Sequence, residues 1–262
     1  MTNIHPDQFE VTRYTLVDHV ATITLDRPHR RNALNPRAYA ELEAAFLHVQ
    51  ADPEVRCVIV TGAEASFCSG EDVVEMLTGK GPAKSAALPR VRMPVTPAAM
   101  AALNCDRPVI AAVNGPAVGW GMELSLFADI RIAADTAKFA ELFIKRGLIA
   151  DIGGMWRLPA IVGPSKAAEL LFTGDVAGVR RIGVVSTVVP FADLMAEANA
   201  MAARIAANPP LALRYMKEGL RRTSYGDPHD IGGWAIETIF NLKGYGDHRE
   251  GVASFIEKRP AV

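Results

Sequence analysis

Two short apolar runs, each feeding a glycine-bearing turn and then a helix-like stretch, constrain this chain more than any other feature. They are Val55 to Thr61 (VRCVIVT) and Val109 to Val113 (VIAAV), and Asp129 to Ala133 offers a third case. Runs of this length without polar alternation are what strands buried on both faces require, and such strands belong to sheets covered by helices. Units of strand, turn and helix recurring within roughly 50 residues of one another predict an α/β fold built of stacked turns.

Other elements frame these units. Val11 to Val17 and Val20 to Leu25 alternate like a hairpin around Asp18-His19. Asn35-Pro36 opens an amphipathic helix carrying Leu42, Ala45, Phe46 and Val49 at helical spacing. Thr78 to Pro97 holds prolines, glycines and basic residues with little periodicity, and reads as a surface loop of the kind that borders active sites. Past Pro190 the pattern is helical: Phe191 to Ala207, Leu211 to Thr223 and Pro228 to Lys243, punctuated by Asn208-Pro209-Pro210 and Gly226-Asp227-Pro228. The expected organisation is therefore an α/β core over 1–190 and a helical subdomain over 191–262.

Composition narrows the function. A chain of 262 residues buries enough surface to need no staples, and a net charge of −1 gives no general attraction to nucleic acid or anionic membrane. Cys57, Cys68 and Cys105 are scattered, with no CxxC pair and no His/Cys metal spacing. That predicts reduced thiols, a cytoplasmic setting and no metal. The opening MTNIHPDQFEVTRY lacks the apolar region of a secretory signal, and no run is long enough for a membrane span.

The chemistry sits where the two glycine turns enter helices, in Ser66-Phe67-Cys68-Ser69-Gly70-Glu71-Asp72-Val73 and in Asn114-Gly115-Pro116-Ala117-Val118-Gly119-Trp120-Gly121-Met122-Glu123. Glycine lets backbone approach a ligand closely, and the first amides of the following helix lack internal partners. Such donors, with the helix dipole behind them, suit a carbonyl oxygen that becomes negative during reaction. A single junction of this kind is commonly a plain connection, and neither has dinucleotide or P-loop spacing.

Taken in order, the segments TITLDRPHRRNALN, VIVTGAEASFCSGEDV, RPVIAAVNGPAVGWGMELSLFADIRIAA, LLFTGD and EGVASFIEKRP resemble the enoyl-CoA hydratase/isomerase (crotonase) superfamily over almost the whole chain. The resemblance implies a core of stacked β-β-α spirals followed by a helical trimerisation region, assembled as a homotrimer or a dimer of trimers. It implies an acyl-CoA substrate, with coenzyme A part of the substrate and no separate cofactor. The thioester oxygen would be held by the N–H groups of Glu71, after Gly70, and Trp120, after Gly119. Asp72 reads as a helix N-cap beside this turn. Coenzyme A would lie near the Cys68-Ser69 backbone, near Arg30 and Arg31, and near Phe255 and Lys258.

Glu123, three residues past Trp120, is the expected catalytic acid or base, its side chain over the end of the helix from which the Trp120 N–H emerges. The alternative is a carboxylate that only complements the helix dipole. The family's second glutamate is missing: Phe143 fills its position and becomes a lining residue. Glu141 would share a face with Phe143 if the stretch is extended, which makes it a candidate substitute for the missing acid. Asp151, where dienoyl-CoA isomerases keep an aspartate, is the expected second acid or base, or else a helix N-cap. Hydration of an unsaturated acyl-CoA is the leading expectation. The alternatives are a double-bond isomerase using Glu123 and Asp151, and a non-catalytic acyl-CoA-binding or assembly protein. Cys68 has no histidine near it in sequence and is not read as a nucleophile.

Overall fold

The computed structural model describes residues 4–76, 96–150 and 153–223, together with 237–238, 241, 245–257 and 259. It opens on the expected hairpin: β1 (Thr12–Val17) and β2 (Val20–Leu25) pair antiparallel around Asp18 and His19, both at positive φ. Two such residues in succession give the turn whose twist matches that of the strands. Helix α1 (Pro36–Ala51) starts where Asn35 Oδ1 accepts the Ala38 N–H at 2.9 Å, with Pro36 at the first helical position.

The buried runs become parallel strands. β3 (Cys57–Gly62), β4 (Val109–Val113), β6 (Ile130–Ala134) and β9 (Thr187–Val189) extend the sheet in the order β1-β2-β3-β4-β6-β9. A second sheet joins β5 (Ala117–Val118), β7 (Lys138–Ala140) and β8 (Ala177–Gly178) in the order β5-β7-β8. Between them run α2 (Val73–Met76), α3 (Pro97–Asn104), α4 (Trp120–Phe127), α5 (Leu158–Val162), α6 (Pro164–Thr173) and α7 (Val179–Ile182).

Strand alternation divides the core. Val58 and Val60 of β3 face α1, α3 and α4, packing with Leu42, Phe46 and Leu126, while Cys57 and Ile59 face the opposite side of the sheet. That opposite side is covered by α8 (Leu194–Ala206), whose Leu194, Ala198, Ala202 and Ala206 form one stripe at four-residue spacing. The helical part that begins at 191 therefore starts inside the α/β core, because small alanines let α8 lie close on the sheet. After it come α9 (Pro210–Thr223) and a last helix, Gly246–Glu257.

Two local expectations change. Pro97 opens α3, capped by Thr96 Oγ1 accepting the Ala99 N–H at 3.3 Å, and the rest of the expected loop falls at 77–95, outside the described residues. The stretch after β7 is not extended. Chain pairing stops at Ala140, and Leu142–Arg146 winds into a 3₁₀ helix. Strand alternation therefore does not relate Glu141 to Phe143, although both border one cavity. The helix expected over Pro228 to Lys243 lies almost wholly outside the described residues. No helix among the described residues is long and apolar enough to cross a membrane.

Candidate active site

The two glycine turns meet through their backbones. Cys68 bridges Ala117: its N–H donates to Pro116 O at 3.0 Å, and its carbonyl accepts the Val118 N–H at 2.9 Å. Gly121 makes the approach possible, since a Cβ there would stand 2.1 Å from Cys68 O. Behind this joint, Asn114 accepts from Gly62 N–H and donates to Gly62 O, while Asn32 Nδ2 donates to Ala63 O and Ser66 O. These two asparagines were not singled out in the sequence. Their signal is positional only: one ends β4 and the other precedes α1, and each satisfies buried carbonyls that a loop would otherwise leave unpaired.

Gly70 adopts φ +87°, a left-handed conformation that side chains resist, and brings its own Cα to the start of α4. A Cβ on it would lie 3.3 Å from Trp120 N. Leu34 pairs with this strand-like turn by donating to Gly70 O and accepting from the Asp72 N–H, so the Glu71 N–H is turned to the other side. The Glu71 and Trp120 amides thus approach one another, and neither has an acceptor among the described residues. The Trp120 ring points inward, with edge contacts to Tyr39 at 5.0 Å and Phe127 at 6.0 Å between centroids. Ser69, Gly70, Glu71, Gly119, Trp120 and Phe143 line one small pocket of about 60 Å³, room for a carbonyl group and little else.

Helix α4 is buried along all eight residues and aims its N-terminus at this pocket. Its other end is closed by two arginines that sequence reasoning passed over. Arg131 donates to Ala128 O at 2.6 Å, and Arg157 donates to Leu126 O at 3.1 Å. Cations on the last carbonyls complement the dipole and free a wholly buried helix from unpaired acceptors.

Glu123 is fully buried on α4, and its Oε2 accepts the Gly153 N–H at 2.6 Å. The carboxyl is not in the lining of the amide pocket. It lies against the glycine pair Gly153-Gly154, where a Cβ on Gly153 would stand 2.6 Å from Glu123 Oε2. A second carboxyl reaches the same place. A Cβ on Gly154 would stand 3.2 Å from Glu123 Oε1 and 3.2 Å from Glu141 Oε1. Glu141 caps the 3₁₀ helix after β7 by position, yet its side chain turns into the interior and is fully buried. Neither of its oxygens has a hydrogen-bond partner among the described residues. Burial, and next the nearby charge of Glu123, push the Glu141 carboxyl up to about 9. It is therefore protonated at neutral pH.

Phe143 stands between the amides and the carboxyls. It lines the amide pocket, with its Cζ 3.9 Å from where a Gly119 Cβ would be. It also lines a larger, mostly apolar cavity of about 380 Å³ whose wall includes Glu141, Ala150, Met155 and Leu171. The remaining expected residues are dispersed. Arg30 and Arg31 are exposed beside the turn, their carbonyls accepting from Ser69 Oγ at 3.3 Å and Ser69 N–H at 3.1 Å. Asp72 is a structural group: it accepts from Val74 N–H and Glu75 N–H as a cap and pairs with Arg27 at 3.1 Å, which leaves it buried and away from a ligand. Cys68 has its N–H and carbonyl committed to the joint, and burial pushes its thiol up to about 12, so it supplies no thiolate. Asp151, Lys258 and the Phe255 side chain lie outside the described residues.

Comparison with known proteins places this geometry. Residues 16–262 match the enoyl-CoA hydratase/isomerase family. The chain is 38% identical over 259 residues to the "probable enoyl-CoA hydratase" of Rhodobacter capsulatus, spanning 96% of this chain and 97% of that one. It is 37% identical to a carnitinyl-CoA dehydratase of Escherichia coli, spanning 93% and 94%. Among solved structures, the enoyl-CoA hydratase of Bacillus anthracis superposes with a TM-score of 0.88 at 31% identity over 97% of this chain and 98% of that one. That of Mycobacterium smegmatis gives 0.85 at 29% identity over 97% and 98%. The fold is thus the mixed α/β crotonase fold with a helical C-terminal region, and the chain belongs to the enoyl-CoA hydratase/isomerase family.

Proposed function

We propose that this protein adds water across the double bond of a 2-enoyl-CoA thioester. The observation that carries the reading is the pair of acceptor-free amides, Glu71 and Trp120, in one pocket at the N-terminus of a buried helix. Donors fixed at the place where thioester oxygen becomes enolate oxygen stabilise the transition state more than the ground state, and each is worth about 3–4 kcal/mol. Glu123, anchored on the Gly153 N–H, is the base that takes a proton from water. Arg30 and Arg31, exposed beside Ser69, offer cations for the phosphates of coenzyme A, and Phe255 and Lys258 belong to the same expected set.

A double-bond shift within the acyl chain is the second reading. It is favoured by Phe143 at the position of the family's second acid and by the complete burial of Glu123 and Glu141, both of which suit proton relocation without water. Assembly as a homotrimer or a dimer of trimers is part of the proposal. Ile149 and Phe172 are 80% and 78% exposed beside the apolar cavity, a surface that a neighbouring subunit would cover. Sedimentation gives the assembly directly. An assay with crotonyl-CoA and with a 3-enoyl-CoA tests the chemistry. Hydration of the first supports the leading reading, conversion of the second alone supports the shift, and binding without turnover of either sinks both in favour of a non-catalytic acyl-CoA-binding protein.

A further inference from the structure

Two carboxyls meet at Gly154, and the hydration just described assigns a role to only one of them. Glu123 is fixed by the Gly153 N–H at 2.6 Å. Glu141 is fully buried and without a hydrogen-bond partner among the described residues. Leaving such a carboxyl unpaired inside a protein is costly, and unpaired buried polar groups concentrate at sites of chemistry. Glu141 belongs to the wall of the larger cavity, whose other described lining is almost entirely apolar, so an acyl group entering there comes to lie beside it.

We infer that Glu141 is the second proton-transfer residue of this site, paired with Glu123 across Gly154 and doing from two residues upstream the work that Phe143 cannot do. The inference rests on the acyl-CoA reading above. In hydration, Glu123 as carboxylate takes a proton from water while the water oxygen bonds to C3. The C2=C3 electron pair moves to C1–C2, and the carbonyl pair moves onto the thioester oxygen, held by the Glu71 and Trp120 amides. The enolate then collapses, and C2 takes the proton of the Glu141 carboxylic acid. Glu123 is left protonated and Glu141 ionised. The proton crosses the gap that Gly154 leaves open between their Oε1 atoms, and the pair is reset. The balance requires one proton shared by two carboxyls, which is the state that burial beside Glu123 favours for Glu141.

The groups that could set this behaviour are few. Glu123 from α4 is the one charged side chain in the described surroundings of Glu141 that shifts it. Lys145 and Arg146, on the 3₁₀ helix after Glu141, are exposed, and Asp151, close in sequence to Gly153, lies outside the described residues. Asp151 is therefore the rival for the same role and enters the test.

The experiment compares the full-length wild type with Glu141→Gln, Glu141→Asp and Asp151→Asn on crotonyl-CoA, with calorimetric binding of butyryl-CoA as the check of folding and site. The expected result is a fall in kcat of about 10²–10⁴-fold for E141Q with KM and butyryl-CoA affinity within threefold, and partial rescue by E141D. Wild-type kcat falls as pH rises through about 9, because the acid form is the active one, and that alkaline limb is absent in E141Q but kept in D151N. E141Q with wild-type kcat overturns the role of Glu141 while leaving the acyl-CoA reading intact. So does an alkaline limb that disappears in D151N and persists in E141Q. A wild type that binds no butyryl-CoA and turns over no enoyl-CoA overturns the acyl-CoA reading and the role of Glu141 with it.

Discussion

The amide half of the site and the carboxyl half are built by different means. Glu71 and Trp120 come together because two neighbouring parallel strands, β3 and β4, end side by side and their turns pair through backbone. Side-chain identity hardly enters, which is why a glutamate and a tryptophan can supply equivalent donors. Glu123 and Glu141 come together through side chains, one from a helix and one from the end of a short strand in a different sheet, with a glycine pair from a third segment between them. The first half is rigid wherever the strands pair. The second depends on two rotamers and on the absence of a single methyl group.

That contrast can be broken from the strong side first. Gly121→Ala places a Cβ 2.1 Å from Cys68 O, a backbone atom that cannot swing aside, so the joint between the turns must open. A loss of more than about 3 kcal/mol in urea denaturation is expected, or no folded protein at all. A variant of ordinary stability would show that the joint is not what holds the amide half.

Glu123→Gln leaves the joint alone and is expected to lower kcat by about 10²–10⁴-fold, with butyryl-CoA binding kept. Loss of binding in place of turnover would place Glu123 in the amide half. Gly153→Ala pushes a Cβ against Glu123 Oε2 at 2.6 Å without removing any acid. A misplacement on the order of 1 Å is expected to cost about 10²-fold in kcat, beside a fall in thermal stability from the Cβ standing 3.0 Å from the Glu123 Cα.

Glu141 sharpens the comparison through pH. Its carboxyl goes from the ordinary 4.5 to about 9 on folding, so the folded protein holds a proton that the unfolded chain releases. Native stability from this group is full below about 4.5 and is lost as pH rises toward about 9. The melting temperature of Glu141→Gln relative to wild type is therefore expected to climb across that window and to level off outside it. A flat difference would show that Glu141 is ionised in the native state. The smallest effect is a repair. Phe143→Glu in the Glu141→Gln background returns an acid to the wall shared by both cavities, and a recovery of about tenfold in kcat is expected. No recovery would mean that position 143 faces only the amide half.

The sequence by itself determined the buried strands of the sheet and the two glycine turns that lead into helices, because continuous apolarity and left-handed glycine are local properties. Val109 to Val113 matches β4 residue for residue, and Gly70 and Gly119 lie where positive φ is required. It did not determine that α3 starts at Pro97, although Thr96-Pro97 is a cap followed by a first-turn proline, because the polar stretch before it masked the short apolar helix. Nor did it place α8 against the sheet, since an alanine stripe reads equally as the face of a separate bundle.

The carboxyl pair was decided by tertiary structure alone. Counting along the chain put Phe143 where an acid was expected and, on the assumption of an extended strand, set Glu141 on the same face. The end of β7 at Ala140 and the 3₁₀ turn after it replace that strand geometry, leaving Phe143 at the boundary between the cavities and Glu141 in the wall of the larger one, buried beside Glu123. Which of two nearby side chains points into a site depends on where a short strand stops pairing, and that is set by partners distant in sequence. The two turns and Glu123 could be read from the chain, whereas the meeting of Glu123 with Glu141 had to wait for the fold.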